Sequence, residues 1–179
     1  FNLDKKVDIP YSPNHIGIIT SSSTAAFQDI VSTVKRRAPN SQISLSDAMV
    51  QGDNAHVSII NALNRIILFN ENNPTNKIDV VIISRGGGSI EDLWCFNNED
   101  LAREIFSYPI PTISGVGHEI DFTICDFVCD MRVPTPTASA ELVTEFNFKL
   151  IDRLKEFKSK ILKNMRALMD DLNLSLIHI

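Results

Sequence analysis

The stretch VVIISRGGGS at residues 80–89 decides the fold class, because a short apolar run of β type passes directly into an arginine and three glycines. Three similar apolar runs occur elsewhere, and segments with helical periodicity separate them. The predicted strands are His15–Thr20, Ile43–Met49, Asp79–Ser84 and Pro111–Val116. Alternation of strands and helices predicts a sheet that is mostly parallel.

Helical segments fill the intervals between these strands. They are predicted at Thr24–Arg37, Ala55–Glu71, Ile90–Tyr108 and Phe122–Met131. The fold class is therefore α/β, with a four-stranded, mostly parallel sheet and helices on both faces. Ligands of such sheets bind at the carboxyl ends of the strands.

Composition restricts the class of protein further. The chain has 179 residues and is 44% hydrophobic, which suits one well-packed domain and an appendage. Its apolar runs are far shorter than the ~20 residues of a membrane-spanning helix, so no membrane partner is expected. The first residues lack an initiating Met and a signal-peptide layout, which predicts an internal cut.

Three cysteines, Cys95, Cys125 and Cys129, form no CxxC pair. Their odd number and apolar surroundings predict reduced thiols in a cytoplasmic protein. Zinc requires about four ligands, so packing is favoured over a metal site made by Cys125, Cys129 and His118.

The last part of the sequence predicts a long helix. Its apolar residues repeat every eleven positions, and this stripe requires a partner helix or packing against its own domain; they are Leu154, Phe157, Ile161, Met165, Leu168, Leu172 and Leu176. Residues Lys149–Arg166 carry seven basic and two acidic side chains, while the whole chain has a net charge of −5. This basic segment is either a solvated helix face or a contact for nucleic acid.

The segment after the third strand is a candidate anion-binding loop. Gly86, Gly87 and Gly88 permit positive φ and close approach of backbone N–H groups, and Ser89 leads into a helix. A tight connection without a ligand is the alternative. Arg85 requires an anionic partner, which is either a carboxylate such as Glu91 or Asp92 or a substrate phosphate.

Two other loops are predicted at the same edge. Ser21 follows the first strand, and His118 follows the fourth strand with Glu119 and Asp121 close behind. A histidine oriented by a carboxylate suits proton transfer near neutral pH, although a loop histidine can be an ordinary surface residue. Asp29 in the first helix is, by position alone, a carboxylate that interacts with the helix dipole.

Five motifs in order give a resemblance to a known family. The chain resembles the large subunit of exodeoxyribonuclease VII over roughly residues 13–145. The motifs are Ile18-Ile19-Thr20-Ser21 with Ala25-Ala26 and Asp29; Gln51-Gly52; Arg85 to Trp94 with Phe96-Asn97; Gly115 to Glu119 with Asp121; and Pro134-Thr135-Pro136 with Ala138 and Ala140-Glu141. Thr24 and Gln28 depart from the family's common glycine and basic residue.

The resemblance implies three regions. Residues 1–14 are expected to be a linker from an N-terminal OB-fold, residues 13–145 the α/β catalytic domain, and residues 146–179 the start of a long coiled-coil segment. In this family the coiled coil recruits several copies of a small subunit.

The resemblance also implies hydrolysis of single-stranded DNA from either end to oligonucleotides with 5′-phosphates. No divalent metal is expected to be required, with magnesium at most stimulating the reaction. We assign His118 as general base or acid, with Asp121 or Asp29 orienting it or activating water. Arg85 and the backbone of 86–89, with Ser21 nearby, are the expected phosphate-binding groups. An enzyme for a small phosphorylated metabolite and a non-catalytic nucleic-acid-binding module remain alternatives.

Overall fold

A computed structural model describes residues 6–87, 90–117 and 121–177. The sheet is parallel throughout, and its strands lie in the order β2-β1-β3-β4-β5. The strands are β1 His15–Thr20, β2 Gln42–Asp47, β3 Val80–Ser84, β4 Thr112–Gly115 and β5 Met131–Arg132. The prediction of four strands is therefore wrong in number. Because β5 has two residues, it is too short to produce an alternating apolar pattern.

The helices are α1 Ala25–Arg37, α2 Ala55–Asn72, α3 Glu99–Phe106, α4 Ile124–Val128 and α5 Pro136–Ile177. A 3-10 segment covers Ile90–Asn97. The predicted helix from residue 90 to 108 is thus two elements, since Asn98 caps α3 by accepting hydrogen bonds from the backbone N–H groups of Asp100 and Leu101. The helix predicted at 122–131 is shorter, because Thr123 caps it and the chain then enters β5.

Alternate side chains of the strands pack on opposite faces of the sheet. One core contains Ile19, Val81 and Ile83 with buried residues of α2, α3 and α4. The other contains Ile18 and Ile82 with residues of α1 and the first turns of α5. The predicted placement of helices on both faces is confirmed. Because all strands are parallel, the loops that follow them lie at the same edge of the sheet.

The chain divides into two compact units, Phe1–Glu145 and Phe146–Ile179. The second unit is helical as far as Ile177. Its large apolar side chains are exposed, including Leu154, Phe157 and Ile161. The long C-terminal helix is thus confirmed, while the linker, catalytic and coiled-coil assignments stay predictions.

No helix in the described ranges is long and apolar enough to cross a membrane. All three cysteines are free and buried. Burial raises the pKa of Cys95 to about 11 and that of Cys129 to about 12, and it also raises the pKa of Cys125. Buried protonated thiols behave as small apolar side chains, which supports packing as their role.

Candidate functional site

The strand order creates a crevice at the carboxyl edge of the sheet. From β1 the chain leads to β2 on one side, while β3 pairs with β1 on the other side. The connections that follow β1 and β3 therefore lead to opposite sides of the sheet, and the point between these two strands is a topological switch point, where α/β proteins commonly bind ligands. These loops also approach each other, since a Cβ added to Gly86 would lie 3.5 Å from Cβ of Thr24.

Hydrogen bonds hold the first loop in a defined turn. Thr24 donates from its backbone N–H and from its hydroxyl to the carbonyl oxygen of Ser21, at 3.1 and 2.7 Å. The backbone N–H of Ser22 donates to Oδ1 of Asp47 at the end of β2, at 2.6 Å. Ser21 is half-buried at this edge, with its hydroxyl 3.1 Å from that of Ser23.

Arg85 connects three segments at the carboxyl edge. Its side chain is only 5% exposed, although guanidinium groups are rarely buried without partners. Nε donates to the carbonyl oxygen of Val116 after β4, at 3.4 Å, and one terminal nitrogen lies 3.8 Å from Oδ2 of Asp92. Asp92 is therefore a carboxylate partner of Arg85, while the side chain of Glu91 lies outside the described residues. The 3.8 Å separation exceeds that of a charge-assisted hydrogen bond, about 2.8 Å.

Gly86 and Gly87 provide space instead of unusual backbone angles. Among the described residues only Gly52 has a positive φ, of 87°, so Gly86 and Gly87 do not use the positive φ that glycine permits. No described atom lies within 4 Å of the position that a Cβ would take at Gly87. The backbone is thus uncovered there and can be approached closely. Gly88 and Ser89 lie outside the described residues.

Gly117 is required by a close approach of the backbone. A Cβ at this position would overlap the carbonyl oxygen of Asp121 and would lie 3.3 Å from Oδ2 of Asp126. Asp121 is half-buried and is held against the end of β4 in this way. The intervening His118 and Glu119 lie outside the described residues, so the role predicted for His118 stays a prediction.

Asp126 is a buried residue of the edge that the sequence analysis missed. Its Oδ1 accepts a 2.5 Å hydrogen bond from the hydroxyl of Ser114, and Oδ2 accepts from the backbone N–H and hydroxyl of Thr123 at 2.8 and 2.9 Å. Nε of Arg132 lies 3.9 Å from Oδ1. The signal was present, because Thr123 and Asp126 have the spacing of a capping box. This carboxyl group joins β4, α4 and β5 beneath Asp121.

Asp29 lies in the second turn of α1, the helix that follows the turn at Ser21. It is exposed on α1, between the buried positions Ala26 and Ile30. In the described part of the chain, no contact joins its carboxylate to Arg85 or Asp121. The structure therefore connects Arg85, Gly86, the Ser21 turn and Asp121 through a series of contacts, and Asp29 is not part of that series.

Comparison with known proteins identifies the family of the chain. The family model described as exonuclease VII, large subunit, matches residues 1–179. Proteins named exodeoxyribonuclease 7 large subunit are similar: 47% identity over 161 residues in Geobacillus kaustophilus, covering 90% of this chain and 35% of the relative. In Clostridioides difficile the identity is 48% over 168 residues, covering 92% of this chain and 40% of the relative.

The relative in Vibrio parahaemolyticus is 47% identical over 166 residues, covering 93% of this chain and 36% of its own length. The chain thus spans between about a third and two fifths of the curated relatives that it matches. With a family model matched over its whole length, the chain belongs to the exonuclease VII large subunit family.

Proposed function

We propose that the full-length protein is an exonuclease of the cytoplasm that hydrolyses single-stranded DNA from either end. Its products are oligonucleotides with 5′-phosphates, and its partners are several small subunits bound through a coiled coil that begins in α5. One observation carries the proposal beyond family membership. Contacts at one edge of the sheet join Arg85, the uncovered glycine backbone and the Gly117–Asp121 turn.

The proposed reaction forms a bond between a water oxygen and phosphorus and breaks the bond between phosphorus and O3′. His118 removes the proton from water or supplies one to the departing O3′, with Asp121 orienting the imidazole or activating water. Asp29, which is exposed on α1, is the alternative to Asp121 for orienting the imidazole or activating water.

Groups at the carboxyl edge of the sheet stabilise the negative charge on the phosphate. Arg85 and the backbone N–H groups of residues 86–89 face the nonbridging oxygens, and the hydroxyl of Ser21 is a further phosphate contact. Nucleases that depend on two metal ions use clustered carboxylates to hold the ions, which lie about 4 Å apart. The loops after β3 and β4 carry an arginine, glycines and a histidine together with Glu119 and Asp121, and Asp47 at the end of β2 already accepts a hydrogen bond from the backbone of Ser22. The arginine, glycines and histidine support hydrolysis without a required metal.

Cleavage of end-labelled single-stranded DNA in EDTA tests the proposal. The full-length protein with its small subunit is expected to remain active in EDTA, with magnesium at most increasing the rate. His118→Ala is expected to lower the rate about 10²-fold, the usual size of a general acid–base contribution. Equal thermal unfolding midpoints for the two proteins would show that the variant is folded.

Other outcomes would contradict the proposal in different ways. Cleavage that requires added magnesium would overturn the metal-independent mechanism but leave the nuclease. Binding of DNA without cleavage by wild type would favour a non-catalytic binding module. Turnover of a small phosphorylated compound without cleavage of DNA would favour a metabolic enzyme.

Gly87→Ala tests whether a phosphate contacts the glycine backbone. Because Gly87 has no positive φ and no described atom lies within 4 Å of a Cβ there, we expect an unchanged unfolding midpoint. A methyl group would nevertheless displace a phosphate that rests on this backbone, and we expect kcat/KM to fall about tenfold or more. Full activity of a stable Gly87→Ala enzyme would exclude the contact.

A further inference from the structure

A cavity of about 690 Å³ lies beside the proposed phosphate site, between the residues that lead into α2 and the 3-10 segment. We propose that it holds a nucleobase of the single-stranded DNA, with the indole of Trp94 as the stacking surface. This inference rests on the proposed nuclease function and adds a base-binding subsite to it. The residues that line the cavity include Asp53, His56, Asp92, Trp94, Asn97 and Asn98.

Two residues that line the cavity contact residues near Arg85 and Asp121. Asp92 lines it, and the carboxylate of Asp92 lies 3.8 Å from the guanidinium of Arg85. Asn97 also lines it, and Oδ1 of Asn97 accepts a 2.8 Å hydrogen bond from the backbone N–H of Ile124, at the start of the helix after Asp121. A nucleotide whose phosphate contacts Arg85 therefore has its base within reach of the cavity.

Trp94 is exposed where its neighbours are buried. The indole is 70% exposed, whereas Leu93 is 5% and Phe96 0% exposed. These two side chains anchor the 3-10 segment in the core, so the position of Trp94 is set without burial of its own ring. A large exposed aromatic ring in the wall of a cavity beside an anion site is the arrangement that proteins use to stack bases of single strands.

The charge of the lining favours a base over a phosphate. Asp53 and Asp92 both contribute to the cavity, and carboxylates repel the phosphodiester. A neutral base has no such penalty, and its polar edge suits the side chains of His56, Asn97 and Asn98. The volume lies within the range of about 300–1,000 Å³ found for ligand pockets. Stacking accepts every base, so this subsite fits an enzyme without strong sequence preference.

The test asks whether removal of the indole of Trp94 and removal of the base lower kcat/KM through the same contact. The full-length enzyme with its small subunit is given a dT oligonucleotide and the same strand with abasic nucleotides at its terminal positions. Wild type should lose about tenfold in kcat/KM on the abasic strand, the effect of one lost stacking contact. Trp94→Ala should lose about tenfold on the dT strand, chiefly through KM, and little more on the abasic strand. Trp94→Phe should retain most of the abasic penalty.

Phe106→Leu is the matched control, since it alters an exposed aromatic ring at the far end of α3, which leads into β4. It should show the wild-type penalty on the abasic strand. If Trp94→Ala shows the full wild-type penalty as well, the base does not stack on Trp94 and the inference is overturned while the nuclease stands. Wild type that cleaves neither strand would overturn the proposed function itself.

Discussion

Replacement of Arg85 by lysine is expected to lower kcat on single-stranded DNA by about 10²-fold, and replacement by alanine by about 10³-fold. The guanidinium has a planar set of donors, and the structure uses one edge of it for the carbonyl oxygen of Val116. An ammonium group retains the charge but cannot bind a carbonyl and a phosphate with the same fixed geometry. Single-turnover rates at saturating DNA measure the effect on the chemical step.

Asp92→Asn separates a catalytic from a structural role of Arg85. If pairing with Asp92 at 3.8 Å were the only purpose of the guanidinium, loss of either partner would impair the enzyme equally. We expect Asp92→Asn to lower the single-turnover rate less than Arg85→Lys does, because asparagine keeps the volume and one oxygen acceptor while the guanidinium itself contacts the phosphate. Near-normal single-turnover rates for Arg85→Lys would remove Arg85 from the proposed mechanism.

Asp126→Ala is expected to lower the free energy of unfolding by about 3 kcal/mol. The substitution removes the acceptor for Ser114 and Thr123 and leaves their buried donors without it. It also removes the carboxyl group 3.9 Å from Nε of Arg132. Asp126→Asn should cost less, since it preserves the volume and one oxygen acceptor. Urea unfolding of the purified enzyme, followed by circular dichroism, measures both changes.

Asp8→Ala is the control for the loss of a carboxylate as such. Asp8 is exposed, and surface substitutions of this kind usually change stability by less than about 0.5 kcal/mol. Equal unfolding curves for Asp126→Ala and Asp8→Ala would show that the hydrogen bonds of Asp126 do not support the fold. If Asp126→Ala loses both stability and DNA cleavage, the result would be consistent with dependence of the turn at Gly117 and Asp121 on this buried carboxyl group.

The sequence pattern predicted the sheet well where the strands are long and buried on both faces. The bounds of β1 agree with those expected, and β3 differs by one residue. Such strands have continuous apolar runs, which are a strong signal. The two-residue β5 was missed because its pairing with β4 depends on tertiary position and leaves no periodicity.

The site was predicted unevenly for similar reasons. The loops that follow parallel strands lie at one edge of the sheet, and this rule correctly predicted that Arg85 and Gly86 lie near the turn after β1. Conformational detail was not predictable, since glycine permits both signs of φ and the sequence does not say which one Gly86 and Gly87 adopt. Asp126 was missed because its Thr-x-x-Asp spacing is that of an ordinary helix cap. The sequence does not show that the same carboxyl group also accepts a hydrogen bond from β4.

The short β5 has a consequence for the behaviour of the protein in solution. A sheet that ended at β4 would present a row of backbone donors and acceptors to the strands of other molecules, which promotes edge-to-edge aggregation. Residues Met131 and Arg132 pair with Ile113 and Ser114, and so occupy that edge. With only two residues and a cationic side chain, β5 itself offers little template for further strands.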